Sequence, residues 1–436
     1  MVKAAKQSTK KLTQTQQQAL EKLKSFLRSN RNCFRLSGYA GTGKSFLICH
    51  LIEWLDSCDF EFVIAAPTNK AVKSLMQVGM SQGLNLEVKT VAQLLGQQPE
   101  INEETGQEEF TSPGDAEFDD YDVMIIDEFS MINRNNFEEI VQAISSTIST
   151  KVIFVGDEAQ LPPVKEQQPI VAISDYIDAT ATLDEVVRYE GEIAVVAAQI
   201  RSNEKYAGQI YPFRTSDDQS VVCQPRKQWL STVVQYFKAN EYKTNPDYAR
   251  LLVWRNKTAA EANRFVRSRL WGKDSPIYVP GDRLIAKRPL FRIRPGQKGR
   301  SKWGILINNS EECSVIEQPT IKQLSFDKIE YQYYSVPVIT DGGYEVNLSI
   351  LTEAGLQLRN EKIRDYTEKK QWHQYFDLSR TFDDVTYAYS LTVHKAQGSS
   401  IDYVFLDTED IQSCPDLQKI LYTALTRAKT RVYIPK

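Results

Sequence analysis

Short apolar runs recur along the chain and are separated by longer stretches of mixed polarity. The runs Cys33–Ser37, Phe62–Ala66, Asp122–Ile126, Lys151–Val155, Leu251–Trp254, Tyr387–Leu391, Tyr403–Leu406 and Arg431–Ile434 are each about the length of one buried strand. They are near-continuous in apolar residues rather than alternating, as expected of parallel strands covered on both faces. Helix-like stretches lie between many of them, such as Ser45–Leu55 (SFLICHLIEWL). This alternation predicts an α/β fold built on parallel sheets. The strands fall into two groups, one from Cys33 to Val155 and one from Leu251 to the C-terminus. Between about 280 and 380 the pattern changes to short β-like pieces (Arg283–Ala286, Gly304–Ile307, Cys313–Ile316, Tyr331–Ile339, Tyr344–Ile350) with turns at Asn308-Asn309 and Asp341-Gly342-Gly343, predicting a small antiparallel insert. A second insertion, Gln97 to Thr111, has the composition of a hairpin with its turn at Glu104-Thr105-Gly106.

Local chemistry sharpens this picture at Gly38-Tyr39-Ala40-Gly41-Thr42-Gly43-Lys44-Ser45. These residues match the phosphate-loop pattern G-x-x-x-x-G-K-S/T without a mismatch. Glycines carry no Cβ, so backbone N–H groups can turn inward around an anion. Lys44 is placed to reach the outer phosphates and the Ser45 hydroxyl to ligate Mg²⁺. The following helix adds the positive end of its dipole. Downstream, Val123-Met124-Ile125-Ile126-Asp127-Glu128 is an apolar strand ending in two acids. Beside a phosphate loop, Asp127 suits a metal ion, directly or through water, and Glu128 suits orienting and deprotonating an attacking water. Nucleoside triphosphate chemistry is the expectation.

Composition narrows the class. The chain is 42% hydrophobic and 25% charged, an ordinary globular balance. Its length gives a prior of about three domains. No stretch approaches the roughly 18 apolar residues of a membrane helix, and the basic, polar N-terminus does not resemble a signal peptide. Six scattered cysteines form no C-x-x-C pair, so an intracellular, reducing compartment is expected. The net charge of −3 gives no global attraction to nucleic acid, so such a site must be a local groove. Residues 283 to 302 carry eight Lys or Arg and no acid, and residues 97 to 120 carry nine acids and no Lys or Arg. Each run reads either as a solvated segment or as a contact surface.

Val155-Gly156-Asp157-Glu158-Ala159-Gln160-Leu161-Pro162-Pro163 resembles a conserved segment of superfamily 1 helicases, in which Gln160 matches the residue that senses the γ-phosphate. Other segments resemble that family in order. Leu12-Thr13-Gln14-Thr15-Gln16 resembles its adenine-reading segment, with Gln16 at the matching place. Ala66-Pro67-Thr68-Asn69-Lys70-Ala71 resembles its nucleic-acid backbone segment, through Pro67, Thr68 and Asn69. Leu183 to Arg188 resembles the segment that supplies a first phosphate-contacting arginine, Arg188. Val393-His394-Lys395-Ala396-Gln397-Gly398 matches a segment that places His394 and Lys395 on nucleic acid and Gly398 at the nucleotide. Leu421 to Ala428 contains the second arginine, Arg427.

The resemblance is strongest to the Dda-like and RecD-like helicases. It implies two RecA-like domains, 1A (1–190) and 2A (191–280 plus 381–436). It also implies a hairpin insert 1B (97–120) and an SH3-like insert 2B (281–380). The site residues would be Lys44, Asp127, Glu128, Gln160, Arg188 and Arg427, with Gly41, Thr42, Gly43 and Ser45 around ATP and Mg²⁺. The two arginines would complete the site when the domains close. Phe110 would be the strand-separating aromatic, or would simply pack within its own hairpin. The implied partners are single-stranded DNA, single-strand/duplex junctions and replication or recombination proteins. A monomer moving 5′-to-3′ is expected. An RNA helicase, a DNA-stimulated ATPase that does not unwind, and a phosphate-loop kinase are the alternatives.

Overall fold

A computed structural model describes residues 11–101, 108–111, 118–147, 149–185, 192–202, 213–295 and 301–436. The chain divides into two compact units. One comprises Met1–Gln98, Ser112–Trp229 and Ala396–Lys436, and the other Pro99–Thr111 and Leu230–Lys395.

The first unit holds a six-stranded, all-parallel sheet in the order Val88–Thr90, Phe62–Ala66, Val123–Ile126, Lys151–Gly156, Cys33–Gly38, Ala179–Leu183. Successive side chains of a strand point to opposite faces, and both faces are covered. Ile64, Ile125, Ile153 and Leu36 pack with the helices Gln14–Leu27 and Lys44–Ser57. Met124, Ile126, Val152 and Phe154 pack with the helix Arg134–Ser146 on the other side. Double coverage is why Phe62–Ala66 and Val123–Ile126 are apolar at every position. Because the strands are parallel, Gly38, Ile126 and Gly156 all end at the same edge, where ligands bind in open α/β sheets. The strand leading to Asp157 lies between the one entering the phosphate loop and the one ending at Asp127. Also in this unit, Ile401–Leu406, Ala428–Pro435 and Val221–Gln224 pair in parallel. The helix Leu417–Leu425 crosses over between the first two.

In the second unit, Ala249–Val253 pairs in parallel with Ser390–Thr392. The expected antiparallel insert is present. Arg283–Ala286 lies between Glu312–Val315 and Val385–Tyr387, and the long strand Ile329–Thr340 pairs with Glu312–Val315, Thr320–Phe326 and Glu345–Leu351. Leu290–Pro295 and Ser301–Ile307 form a hairpin. Gln98–Ile101 pairs with Glu108–Thr111, as the hairpin expected there requires. Its turn at 104–106 lies outside the described residues.

Two expectations need correction. The run Tyr387–Leu391 is not one strand. Val385–Tyr387 belongs to the antiparallel sheet and Ser390–Thr392 to the parallel pair. The Ala388 N–H donates to the Arg283 carbonyl, the Arg250 guanidinium donates to the Ala388 carbonyl, and the Tyr389 hydroxyl donates to Asp282 at 2.7 Å. These bonds hold the chain where it changes sheets. The insert is also not purely β. Helices Glu353–Glu368 and Trp372–Thr381 lie within it, the first capped by Thr352. Tyr366, Leu378 and Phe382 pack on Tyr331 of the long strand.

Much of the basic run is bound internally. Arg283 pairs with Glu312 at 3.1 Å and Asp341 at 3.0 Å, Lys287 with Asp384 at 2.9 Å, and Arg292 with Asp383 at 2.5 Å. Arg288 donates to the carbonyls of Ser379 and Phe382. Arg250, with 1% of its side chain exposed, meets Glu312, with 2% exposed, at 2.9 Å. Removing one member of a buried pair strands the other charge. Arg250→Ala should therefore destabilise the protein by about 3–5 kcal/mol in denaturant titration.

Candidate active site

The phosphate loop is shaped by two left-handed glycines, Gly41 (φ 82°) and Gly43 (φ 79°). Thr42 closes the turn inside it, donating from N and Oγ1 to the Tyr39 carbonyl at 3.2 and 2.9 Å. Gly43 ends the loop and caps the helix Lys44–Ser57 without a side-chain bond, leaving the first helical N–H groups facing the loop. Lys44 Nζ donates to the Gly38 carbonyl at 2.7 Å and the Tyr39 carbonyl at 3.2 Å. Gln16 supports the loop from beneath. Its Oε1 accepts from Thr13 N at 3.0 Å and its Nε2 donates to the Thr42 carbonyl at 2.9 Å. A Cβ at residue 43 would meet Gln16 Nε2 at 2.5 Å, so a larger residue there would displace the amide.

Asp127 sits at the tip of the buried strand, 7% exposed, and accepts from the Glu128 N–H at 2.8 Å. Burial, reinforced by the neighbouring Glu128 charge, raises its pKa to about 7 against the opposing pull of Lys44. Glu128 takes a left-handed conformation (φ 54°), which turns its side chain off the strand direction. Among the described residues, Glu128 Oε2 and Gln160 Oε1 are buried without a hydrogen-bond partner. Both residues line one cavity with Gly41, Gly43, Lys44, Ser45, Asp127, Gly398 and Arg427. Buried acceptors of this kind need partners, and a triphosphate with its metal and water would supply them. One carboxylate and one hydroxyl beside a phosphate cradle suit Mg²⁺, which keeps waters and shares its ligands with phosphates.

Arg427 is buried. It donates from Nε to the Thr423 carbonyl at 3.1 Å and from Nη1 to the Ser399 carbonyl at 3.3 Å. Gly398 (φ 73°) approaches Ala71, leaving 3.2 Å for a Cβ. The residues matched to ATP chemistry therefore converge, except Thr42 and Gln16, which brace the loop, and Arg188, which lies outside the described residues. Thr68 caps the helix Asn69–Ser81, accepting from Ala71 N at 3.2 Å, with Pro67 and Asn69 half-buried beside it. His394 and Lys395 belong to the second unit, on the short helix Val393–Ala396, and burial lowers the His394 pKa, favouring the neutral ring. Phe110 is in the strand Glu108–Thr111; its side chain lies outside the described residues.

Four further residues organise the site. Thr423 Oγ1 accepts from Leu161 N at 3.0 Å, and Gln397 Nε2 donates to the Leu161 carbonyl at 2.9 Å. The Tyr422 hydroxyl donates to Asp157 and accepts from the phosphate-loop Ala40 N–H. All four lie inside segments already singled out, but polarity and spacing do not reveal their long-range partners.

The chain is similar in sequence and fold to known proteins. A family profile described as an AAA domain matches residues 11–216, and one described as a UvrD-like helicase C-terminal domain matches residues 387–434. The ATP-dependent DNA helicase dda of Enterobacteria phage T4 is 24% identical, over 97% of this chain and 98% of its own length. The chain is similar to superfamily 1 helicases of the Dda and RecD-like group. The ATP-dependent RecD2 DNA helicase of Deinococcus radiodurans is 28% identical over 44% of this chain and 24% of its own length. The Pif1 helicase structure from Candida albicans has the same fold, with a TM-score of 0.53 and 16% identity over 98% of this chain and 95% of that one. In helicase terms, the AAA-type match spans the phosphate loop, Asp127, Glu128 and Gln160, and the C-terminal match spans Gly398 and Arg427.

The raised pKa of Asp127 has a measurable consequence. A group whose folded pKa lies above its unfolded value favours the fold at low pH, and that contribution is lost as pH rises through the folded value. Asp127→Asn should therefore stabilise the metal-free protein, by a margin that widens from about pH 4 to about pH 7 and then levels off. Thermal denaturation in EDTA across that range would measure it.

Proposed function

We propose that this chain is an ATP-dependent DNA helicase that moves along single-stranded DNA, 5′-to-3′, and separates duplex strands. The observation carrying this reading is one cavity that gathers Lys44, Asp127, Glu128, Gln160 and Arg427, in a chain similar to a phage DNA helicase over nearly its full length. In this reading residues 1–190 form domain 1A with the 97–120 hairpin as 1B, residues 191–280 and 381–436 form 2A, and 281–380 form 2B.

The Lys44 ammonium and the N–H groups around Gly41, Thr42 and Gly43 bind the outer phosphates. Ser45 and Asp127 would hold Mg²⁺, directly or through water, and the ion would neutralise phosphate charge. Glu128 orients the attacking water and takes its proton, and the Gln160 amide registers the γ-phosphate. Arg427, with Arg188, stabilises charge developing on the transferred phosphoryl, a contribution of about 10³–10⁵ in rate for arginines of this kind. Pro67, Thr68, Asn69, His394 and Lys395 hold the DNA backbone, a grip that tolerates any sequence and weakens with salt. Phe110 stacks at the fork, where base–aromatic stacking of about 1–3 kcal/mol is comparable with the mean cost of opening one DNA step, about 1.4 kcal/mol.

Lys44→Ala should abolish ATP hydrolysis while single-stranded DNA binding persists. Arg427→Ala should still bind a fluorescent ATP analogue but lose at least about 10³-fold in kcat. Retained turnover in either variant would reject the site. Duplexes with a 5′ or a 3′ single-stranded tail, built in DNA and in RNA, decide polarity and substrate: ATP-dependent displacement should occur on the 5′-tailed DNA alone.

A further inference from the structure

Tyr422 lies near the end of the helix Leu417–Leu425 and is buried. Its hydroxyl donates to Asp157 Oδ2 at 2.6 Å and accepts from the Ala40 N–H at 3.1 Å. The other Asp157 oxygen accepts from Ala159 N at 3.0 Å, fixing the turn that leads to Gln160. One hydroxyl therefore joins three segments of the cavity wall. Ala40 immediately precedes Gly41 in the phosphate loop, Asp157 opens the segment carrying Gln160, and Tyr422 rides on the helix that leads into Arg427. Burial and the Asp157 charge raise the phenol pKa far above its usual value, so the hydroxyl keeps its proton and remains the donor.

We propose that Tyr422 is a positioning residue that sets Arg427 and Gln160 against the phosphate loop through this three-way hydrogen bond. This rests on the ATPase reading above. Geometry distinguishes it from plain packing. The ring is buried, and the hydroxyl meets two polar groups that have different duties at the site. A shift of the phosphate loop at Ala40 is passed through one oxygen to the turn before Gln160 and to the helix before Arg427. The Thr423 bond to Leu161 N ties the same helix to the same segment one residue further on, so the helix cannot pivot about Tyr422 alone.

Tyr422→Phe keeps the ring and removes only the hydroxyl. Its kcat for DNA-stimulated ATP hydrolysis should fall about 10- to 100-fold, the range for a lost hydrogen bond to a charged group. The KM for ATP should stay within about threefold, because the phosphate-binding groups are untouched. Rates are taken per nucleotide-binding site, counted by titration with a fluorescent ATP analogue, so partial unfolding does not imitate the effect. Asp157→Ala should also lower kcat, and the loss in the double variant should be smaller than the product of the two single losses, since the two substitutions share one bond. A Tyr422→Phe enzyme with wild-type kcat, or losses that multiply in the double variant, would overturn the proposal. A wild-type chain that hydrolyses no ATP would instead overturn the function on which it rests, a result separable from either of these.

Discussion

Two adjacent carboxylates at the end of a fully buried strand set the terms for the rest of this structure. Charged groups are poorly tolerated away from water unless other charges and donors compensate them. Asp127 is buried beside Glu128, with Lys44 and a backbone N–H as its favourable partners. The strand can hold this pair because the flanking strands are parallel, apolar and covered on both faces, so the sheet's stability comes from elsewhere. The left-handed backbone at Glu128 separates the directions of the two side chains. The phosphate loop brings the opposing charge from two strands away. The left-handed backbone at Glu128 and the unpartnered Glu128 and Gln160 oxygens lie where a ligand can relieve them.

Legibility in the sequence follows this physics closely. The strands buried on both faces announce themselves as apolar runs, and Phe62–Ala66 matches its expected bounds. Strands at the edges do not. Ala179–Leu183 buries only Ala181 and Leu183, and Val88–Thr90 is half-buried throughout, so neither carries a comparable run. The insert helix Glu353–Glu368 buries only Gly355 and Tyr366, and its polar surface hides its period. Tyr387–Leu391 is apolar except for Ser390, and nothing local says that two of its residues turn between sheets.

The site divides in the same way. The phosphate loop and the Asp127–Glu128 pair are contiguous, and their chemistry depends on neighbours in sequence. The residues that tie the site together are not contiguous. The Tyr422 partners lie 265 and 382 residues away along the chain. A hydroxyl that bridges such distances leaves no periodicity or spacing to detect. The basic run at 283–302 is the converse case. It is conspicuous in the sequence, yet Arg283, Lys287 and Arg292 are matched by acids brought from Glu312, Asp341, Asp383 and Asp384.

The passage of the chain from one sheet to another at Ala388 and Tyr389 has a mechanical side. The antiparallel insert and the parallel pair are joined there by a tether of two residues, with backbone and side-chain bonds on both. Such a tether has no slack to take up. A load on the insert would travel straight into Ser390–Thr392 and onward to His394 and Lys395, as through a stiff lever rather than a flexible strap.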